Sequence, residues 1–252
     1  MLKIFLALTI CIISANVFAL SNSQPAEKKS HESVVQILVP GPDQDGSIVD
    51  GLCNATVINS RTLISAAHCF ARSTVLNGEA FKIEVGAYKY IEKNGQIIRI
   101  GYAVKNKFSR TAKVRFLIGV NPQSVQIPPD LDIVSVTLDQ DLLLPADFSF
   151  AKLWPTTLPS LDQNSKINIV SINPIETISS NDTKQFAYLN SFSQKNYQIE
   201  SRSISRVAPG DSGAAVFASI NGQEYLIGVV KGAAQTVFSN WDVIALEQNR
   251  LK

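Results

Sequence analysis

A serine beside two glycines near the C-terminal end is the first group whose surroundings suggest chemistry. Ser212 lies in the segment Pro-Gly-Asp-Ser-Gly over residues 209–213. Gly210 and Gly213 permit tight turns and close approaches, so the hydroxyl and nearby N–H groups can face a ligand. A serine hydroxyl is a weak nucleophile unless a base takes its proton and a third group orients that base. The segment therefore predicts a nucleophile with an oxyanion hole, and it requires a histidine elsewhere.

The order of the candidate groups along the chain narrows the choice of base. The chain contains two histidines, His31 and His68, and both precede Ser212. This order excludes the nucleophile-elbow hydrolases, in which the histidine follows the serine, and Ala214 breaks their G-x-S-x-G pattern. The remaining order is histidine, aspartate, serine. His31 lies in a polar N-terminal stretch, and we interpret it as solvent-exposed.

Three motifs resemble those of the chymotrypsin/trypsin-like serine proteases. Residues 65–69, Ser-Ala-Ala-His-Cys, nearly reproduce that family's T-A-A-H-C motif, and residues 210–214, Gly-Asp-Ser-Gly-Ala, nearly reproduce G-D-S-G-G. Asp132 opens the segment Asp-Ile-Val-Ser, which is similar to the family's D-I-A-L motif, whereas Asp130 does not match it. The resemblance extends from about residue 32 to the end of the chain.

The resemblance implies a secreted serine endopeptidase that hydrolyses peptide bonds through His68, Asp132 and Ser212. His68 would move the proton, Asp132 would orient the imidazole, and an acyl-enzyme would form on Ser212. The N–H groups of Gly210 and Ser212 would form the oxyanion hole. The alternative is a catalytically inactive protease-like homologue that acts as a secreted binding module. An esterase on the same fold would share the acyl chemistry.

Substrate preference is also inferred from the resemblance. Arg206, six residues before Ser212, would form the floor of the primary pocket. A preference for Lys or Arg requires an acidic floor, so Arg206 argues against it. An arginine could pair with an acidic substrate residue, or it could extend into solvent. Lys231 and Gly232 would lie on the strand that binds the substrate backbone, where the family has Ser-Trp-Gly.

Asp211 raises the question of activation. In many family members the matching aspartate pairs with a newly freed N-terminal amine, but no I-V-G-G-like start precedes Ser33. Cleavage after Lys28 or Lys29 could still supply such an amine. The alternative is an enzyme that needs no zymogen cleavage, as in some bacterial and viral relatives.

The first nineteen residues are typical of a secretory signal peptide. Lys3 precedes an apolar run over residues 4–13, and Val17-Phe18-Ala19 ends in small residues suited to cleavage. The run is short for a membrane span, so we expect no stable membrane anchor after signal removal. The protein would be extracellular, or periplasmic in a bacterium.

Signal removal leaves two cysteines, Cys53 and Cys69. An even pair in an exported chain favours a disulfide, and the protease family places a disulfide between matching positions. The alternative is two buried free thiols.

Short, alternating, β-branched segments at close spacing predict an all-β sandwich or barrel. The resemblance narrows this to two packed antiparallel β-barrels of chymotrypsin-like type with a short C-terminal helix, over Trp241 to Leu251. The expected divisions are a signal peptide at 1–19, a flexible leader or short propeptide at 20–31, the first β-barrel at 32–145, a crossover at 146–160 and the second β-barrel with its helix at 161–252.

The amino-acid composition limits the classes of molecule that the protein can be expected to bind. A net charge of +2, with 45% apolar and 17% charged residues, is typical of a globular protein without a basic tract for nucleic acid. We therefore expect protein or peptide substrates, no nucleic-acid partner and a monomer. Two histidines and one cysteine pair give no recognisable metal spacing, so neither a metal nor a cofactor is expected.

Overall fold

The computed structural model describes residues 20–21, 24–25, 31–42, 48–70, 81–86, 88–93, 96–101, 109–116, 127, 132–155, 166–172, 184–189, 192–195, 198–201, 206–207, 211–230 and 237–239. Three sets of predictions lie outside these residues. They are the signal peptide at 1–19, the site residues Gly210, Lys231 and Gly232, and the C-terminal helix.

Strands make up most of the described chain. In order they are β1 (Leu20–Ser21), β2 (Gln24–Pro25), β3 (Val34–Pro42), β4 (Ile48–Asn59), β5 (Thr62–Ser65), β6 (Phe81–Gly86), β7 (Tyr88–Lys93), β8 (Gln96–Gly101), β9 (Ser109–Phe116), β10 (Val134–Leu138), β11 (Lys166–Ile172), β12 (Lys184–Leu189), β13 (Phe192–Lys195), β14 (Gln198–Ser201), β15 (Arg206–Val207), β16 (Ala215–Ile220), β17 (Gln223–Val229) and β18 (Val237–Ser239). A 3₁₀ helix, η1 (Ala67–Cys69), follows β5.

Six antiparallel strands of the first half close into a barrel, in the order β10-β5-β4-β3-β6-β9. Side chains on a strand alternate between its two faces, and β3 shows this directly. Val35, Ile37 and Val39 are buried in the barrel core, whereas Val34, on the other face, joins a cluster between the two halves of the chain. One face of β3 therefore packs in the barrel core, and Val34 on its other face packs in the cluster between the two halves.

The second half is also antiparallel. One sheet has the order β17-β16-β11-β12-β2, and a second has the order β13-β14-β18. Trp154 is fully buried in the core of this half, with Ile167, Ile169 and Ile227 among its neighbours in the cluster. The connection from the first half is held at this core by the backbone N–H of Trp154, which donates to the Leu226 carbonyl oxygen at 3.2 Å.

A third apolar cluster joins the two halves. It contains Val34, Ile64, Ala66 and Ile133 from the first half, Leu153 from the connection, and Val170, Ile172, Ala215, Phe217, Leu226 and Val229 from the second half. Ala66 is two residues before His68, Ile133 directly follows Asp132, and Ala215 is three residues after Ser212. Burial of this cluster therefore holds together the three segments that carry the candidate site.

Two short strands precede the first barrel in the chain. β1 pairs with β15, in the register Leu20 to Val207, and β2 pairs with β12. Both pairings attach the segment to the second half, although it precedes the first barrel in the chain. None of the described residues forms a helix long and apolar enough to cross a membrane.

The interpretation of His31 as solvent-exposed is wrong. Its side chain is only 8% exposed, its Nε2 lies 2.6 Å from Glu224 Oε2, and its ring centroid lies 5.1 Å from that of Phe217. His31 has a φ of 59° and accepts a hydrogen bond from Val34 N–H in a turn. The sequence around His31 does not reveal this burial, because both contacts come from strands at the other end of the chain.

Candidate active site

His68 and Asp132 are joined by two hydrogen bonds. The backbone N–H of His68 donates to Asp132 Oδ1 at 2.8 Å, and His68 Nδ1 lies 2.8 Å from Asp132 Oδ2. An ionised carboxylate only accepts hydrogen bonds, so Nδ1 carries the hydrogen. In the neutral imidazole, Nε2 is then the free acceptor, which is the state that a general base requires.

Strand register explains why these two residues meet. Strands β10 and β5 are antiparallel, and Val134 pairs with Ser65. Continued past its last pair, two residues back from Val134 and two residues on from Ser65, this register brings Asp132 level with Ala67, beside His68. Asp132 is fully buried and the His68 side chain is 31% exposed. The carboxylate is thus inside the protein, while the imidazole can reach a ligand.

A disulfide between Cys53 and Cys69 connects β4 to η1, with the two Cα atoms 6.4 Å apart. Its half-cystine Cys69 directly follows His68. The cross-link therefore tethers the histidine turn to the barrel.

Backbone hydrogen bonds fix the turn that contains Ser212. Asn54 N–H donates to the Ser212 carbonyl oxygen at 2.7 Å, and Gly213 N–H donates to the Val230 carbonyl oxygen at 2.9 Å. Ala214 N–H closes the turn by donating to the Asp211 carbonyl oxygen at 2.9 Å. Ser212 is only partly buried, so solvent can reach this residue.

Gly213 lets this turn approach the strands that lead to His68. Its φ is +77°, which favours glycine, and a Cβ there would overlap the Asn54 carbonyl oxygen and lie 2.5 Å from Ser65 Oγ. Ser65 is three residues before His68. The structure therefore brings the Ser212 turn against the segment that ends in His68. Among the described residues, no hydrogen bond joins the Ser212 hydroxyl to His68.

The other predicted site residues are not brought into this arrangement by the described structure. The backbone of Arg206 lies in β15 and pairs with Ser21. Gly210, Lys231 and Gly232 lie outside the described residues. The oxyanion hole and the substrate pocket therefore stay predictions.

Two buried polar residues beside Ser212 were missed by the sequence analysis. Ser171 Oγ donates to Asp211 Oδ1 at 2.6 Å, and Asn54 Nδ2 donates to Ser171 Oγ at 3.3 Å. The only sequence signal is a polar residue within an apolar strand, which is too common to identify a site. Within the described part of the chain, no group of three or more His, Cys, Asp or Glu side chains could hold a metal ion.

Comparison with known proteins gives one matching family model and similar solved structures. The family model named Trypsin matches residues 21–240. The crystal structure of the scabies mite inactivated protease paralogue S-D1 is similar with a TM-score of 0.59 and 13% sequence identity, over 91% of this chain and 95% of that chain. No curated protein sequence matches the chain significantly. At this identity the structural likeness shows the fold alone, and it confirms the predicted two-barrel fold.

Proposed function

Because this chain belongs to the trypsin family, we propose that it is a secreted serine endopeptidase that hydrolyses peptide bonds through His68, Asp132 and Ser212. The observation that carries the proposal is the double hydrogen bond from His68 to the buried Asp132 carboxylate. That arrangement fixes the tautomer in which Nε2 can accept a proton.

The proposed reaction proceeds by acyl transfer. His68 Nε2 takes the hydroxyl proton as Ser212 Oγ attacks the scissile carbonyl carbon, and it returns that proton to the leaving amine. Asp132 keeps the imidazole oriented and stabilises the imidazolium. Water then hydrolyses the Ser212 ester by the same proton transfers. The Gly210 and Ser212 N–H groups are proposed to stabilise the oxyanion, where one such donor is worth roughly 3 to 4 kcal/mol of barrier.

Secretion is part of the proposal. The disulfide between Cys53 and Cys69 supports it, because disulfides persist in oxidising compartments and are rare in the cytosol. The proposed location is extracellular, or periplasmic in a bacterium.

Arg206 is proposed to line the primary pocket and to disfavour Lys or Arg before the scissile bond, because of its charge and its place six residues before Ser212. It could pair there with Asp or Glu of a substrate, or extend into solvent. Cleavage profiling on a peptide library tests the proposal, and cleavage sites rich in Lys or Arg at that position would reject it.

Asp211 bears on whether the enzyme requires zymogen cleavage. Ser171 gives its buried carboxylate one hydrogen bond from inside the protein, which favours a site that forms without a freed N-terminal amine. N-terminal sequencing of the active protein tests this, since activity confined to a chain shortened beyond residue 20 would reject it.

A second candidate function is a catalytically inactive, secreted binding module. One observation favours it: within the described residues, Ser212 and His68 share no hydrogen bond. Catalytic hydrogen bonds are often long without substrate and shorten only in the reacting complex, so this observation weighs less than the His68–Asp132 geometry.

Labelling with a fluorophosphonate probe separates the two candidates. The purified, folded protein is expected to react at Ser212, and Ser212→Ala and His68→Ala are expected to abolish labelling. His31→Gln is the matched control, because it replaces the other histidine and should leave labelling intact. A folded protein that does not label, including after its N-terminal segment is trimmed, would favour the binding module.

A further inference from the structure

Asp211, the residue before Ser212, is fully buried. Ser171 Oγ donates to its Oδ1 at 2.6 Å, and Ser171, in β11, is itself fully buried. Ser171 Oγ also lies 3.5 Å from the Ile172 carbonyl oxygen, but its single hydrogen favours the shorter contact with the carboxylate. The turn that carries Ser212 is therefore attached to a central strand of the second half.

Asn54 connects this strand to the first barrel. Its Nδ2 donates to Ser171 Oγ at 3.3 Å, and its Oδ1 accepts from Ile172 N–H at 2.8 Å. Its own backbone N–H donates to the Ser212 carbonyl oxygen at 2.7 Å. Asn54 is 1% exposed. One side chain thus fixes β11, while the same residue's backbone fixes Ser212.

The connection continues towards His68. Ser65 Oγ donates to the Asn54 carbonyl oxygen at 2.7 Å, and Ser65 is three residues before His68 in the chain. Hydrogen bonds therefore run from Ser65 through Asn54 and Ser171 to Asp211. They join the segment that carries the base to the segment that carries the nucleophile, through residues that are all buried.

We propose that Asn54 and Ser171 are positioning residues that hold Ser212 in register with His68, by fixing Asp211 and the Ser212 carbonyl group. The proposal rests on the proposed function, since it assigns these residues a role in that site. A buried hydrogen bond to a carboxylate is among the stronger ones in proteins. Loss of the Ser171 hydroxyl therefore leaves Asp211 without that donor and allows the turn to shift.

The test compares Ser171→Ala with Ser171→Thr and with Ser135→Ala in the full secreted chain. Ser135 is the matched control because it is buried in β10 and its hydroxyl has no hydrogen-bond partner among the described residues. We expect Ser171→Ala to slow fluorophosphonate labelling and lower kcat by about tenfold with little change in KM. Ser171→Thr, which keeps the hydroxyl, should recover most of the rate, and Ser135→Ala should react like the wild type.

Hydrogen–deuterium exchange gives a second readout that does not require activity. In Ser171→Ala, exchange should accelerate by about tenfold at residues 212–214 and remain unchanged in the first barrel. If the wild type labels and Ser171→Ala labels equally fast, the positioning role is wrong while the proposed function stands. If neither the wild type nor its N-terminally trimmed form labels, the proposed function fails. Faster exchange at residues 212–214 in Ser171→Ala would then still support the role of Ser171 in holding the Ser212 turn, and unchanged exchange at these residues would overturn it.

Discussion

Asp132 accepts two hydrogen bonds from His68, one from the backbone N–H and one from the ring Nδ1, each at 2.8 Å. The carboxylate therefore fixes both the turn that carries the histidine and the rotation of its ring. An amide in place of the carboxylate would keep the shape but present an N–H group to one of these two donors. Orientation and tautomer of His68 thus depend on this one carboxylate.

Asp132→Asn is expected to lower kcat by about 10⁴-fold at neutral pH, because the amide favours the wrong tautomer of His68. The measurement is steady-state hydrolysis of a peptide substrate, supported by the fluorophosphonate labelling rate. Asp139→Asn is the matched control, since Asp139 is exposed and accepts only a backbone hydrogen bond from Thr111 among the described residues. Equal activity of the two variants would remove Asp132 from the mechanism.

Gly213→Ala is expected to destabilise the protein and to abolish labelling of Ser212. Gly213 combines a φ of +77° with close contact to the Asn54 carbonyl oxygen and Ser65 Oγ. Gly222→Ala is the matched control, because Gly222 has the same φ and nothing within 4 Å of the added Cβ. It should cost only the backbone strain, about 1 to 2 kcal/mol.

Urea denaturation of both glycine variants measures the loss in free energy of unfolding that each substitution causes. The difference between them is the cost of moving the Ser212 turn away from β4 and β5. If Gly213→Ala is no less stable than Gly222→Ala and still labels, the close approach at Gly213 has no importance for the site.

The sequence predicted contacts between residues of short motifs, but it did not predict contacts between residues that are far apart in the sequence. His68 and Asp132 were found from short motifs, and the antiparallel strands from local alternation and turn residues. The contact between Asn54 and Ser171 spans 117 residues, and that between His31 and Glu224 spans 193. Periodicity carries no information about which distant strands become neighbours, so these contacts required the structure.

Removal of the disulfide by Cys53→Ala with Cys69→Ala is expected to lower the free energy of unfolding by roughly 3 kcal/mol, since the cross-link restricts the unfolded chain. Urea denaturation of the double variant and of the oxidised wild type measures the loss. The reduced wild type should match the double variant. An unchanged free energy of unfolding in the variant would mean that the cross-link does not stabilise the barrel.

The contact between Glu224 and His31 should make stability depend on pH in the acidic range. The hydrogen bond from His31 holds the pKa of Glu224 below its ordinary value, although partial burial acts in the opposite direction. A carboxyl group whose pKa is lower in the folded state binds protons more readily when unfolded. It therefore contributes stability above its unfolded pKa, roughly 4.3, and this contribution is lost as the pH falls through the folded pKa.

Glu224→Gln tests this linkage by urea denaturation between pH 7 and pH 3. The wild type should be more stable than the variant at pH 6, where Glu224 is ionised, and the two curves of stability against pH should converge as the pH falls through the folded pKa of Glu224. Asp141→Asn is the comparison variant. Hydrogen bonds from Ser60 and Arg61 also lower the pKa of Asp141, but its side chain is exposed. Solvent should therefore screen most of the effect of Asp141 ionisation on stability. A constant difference between wild type and Glu224→Gln over this range would show that ionisation of Glu224 does not hold the His31 turn against the second half.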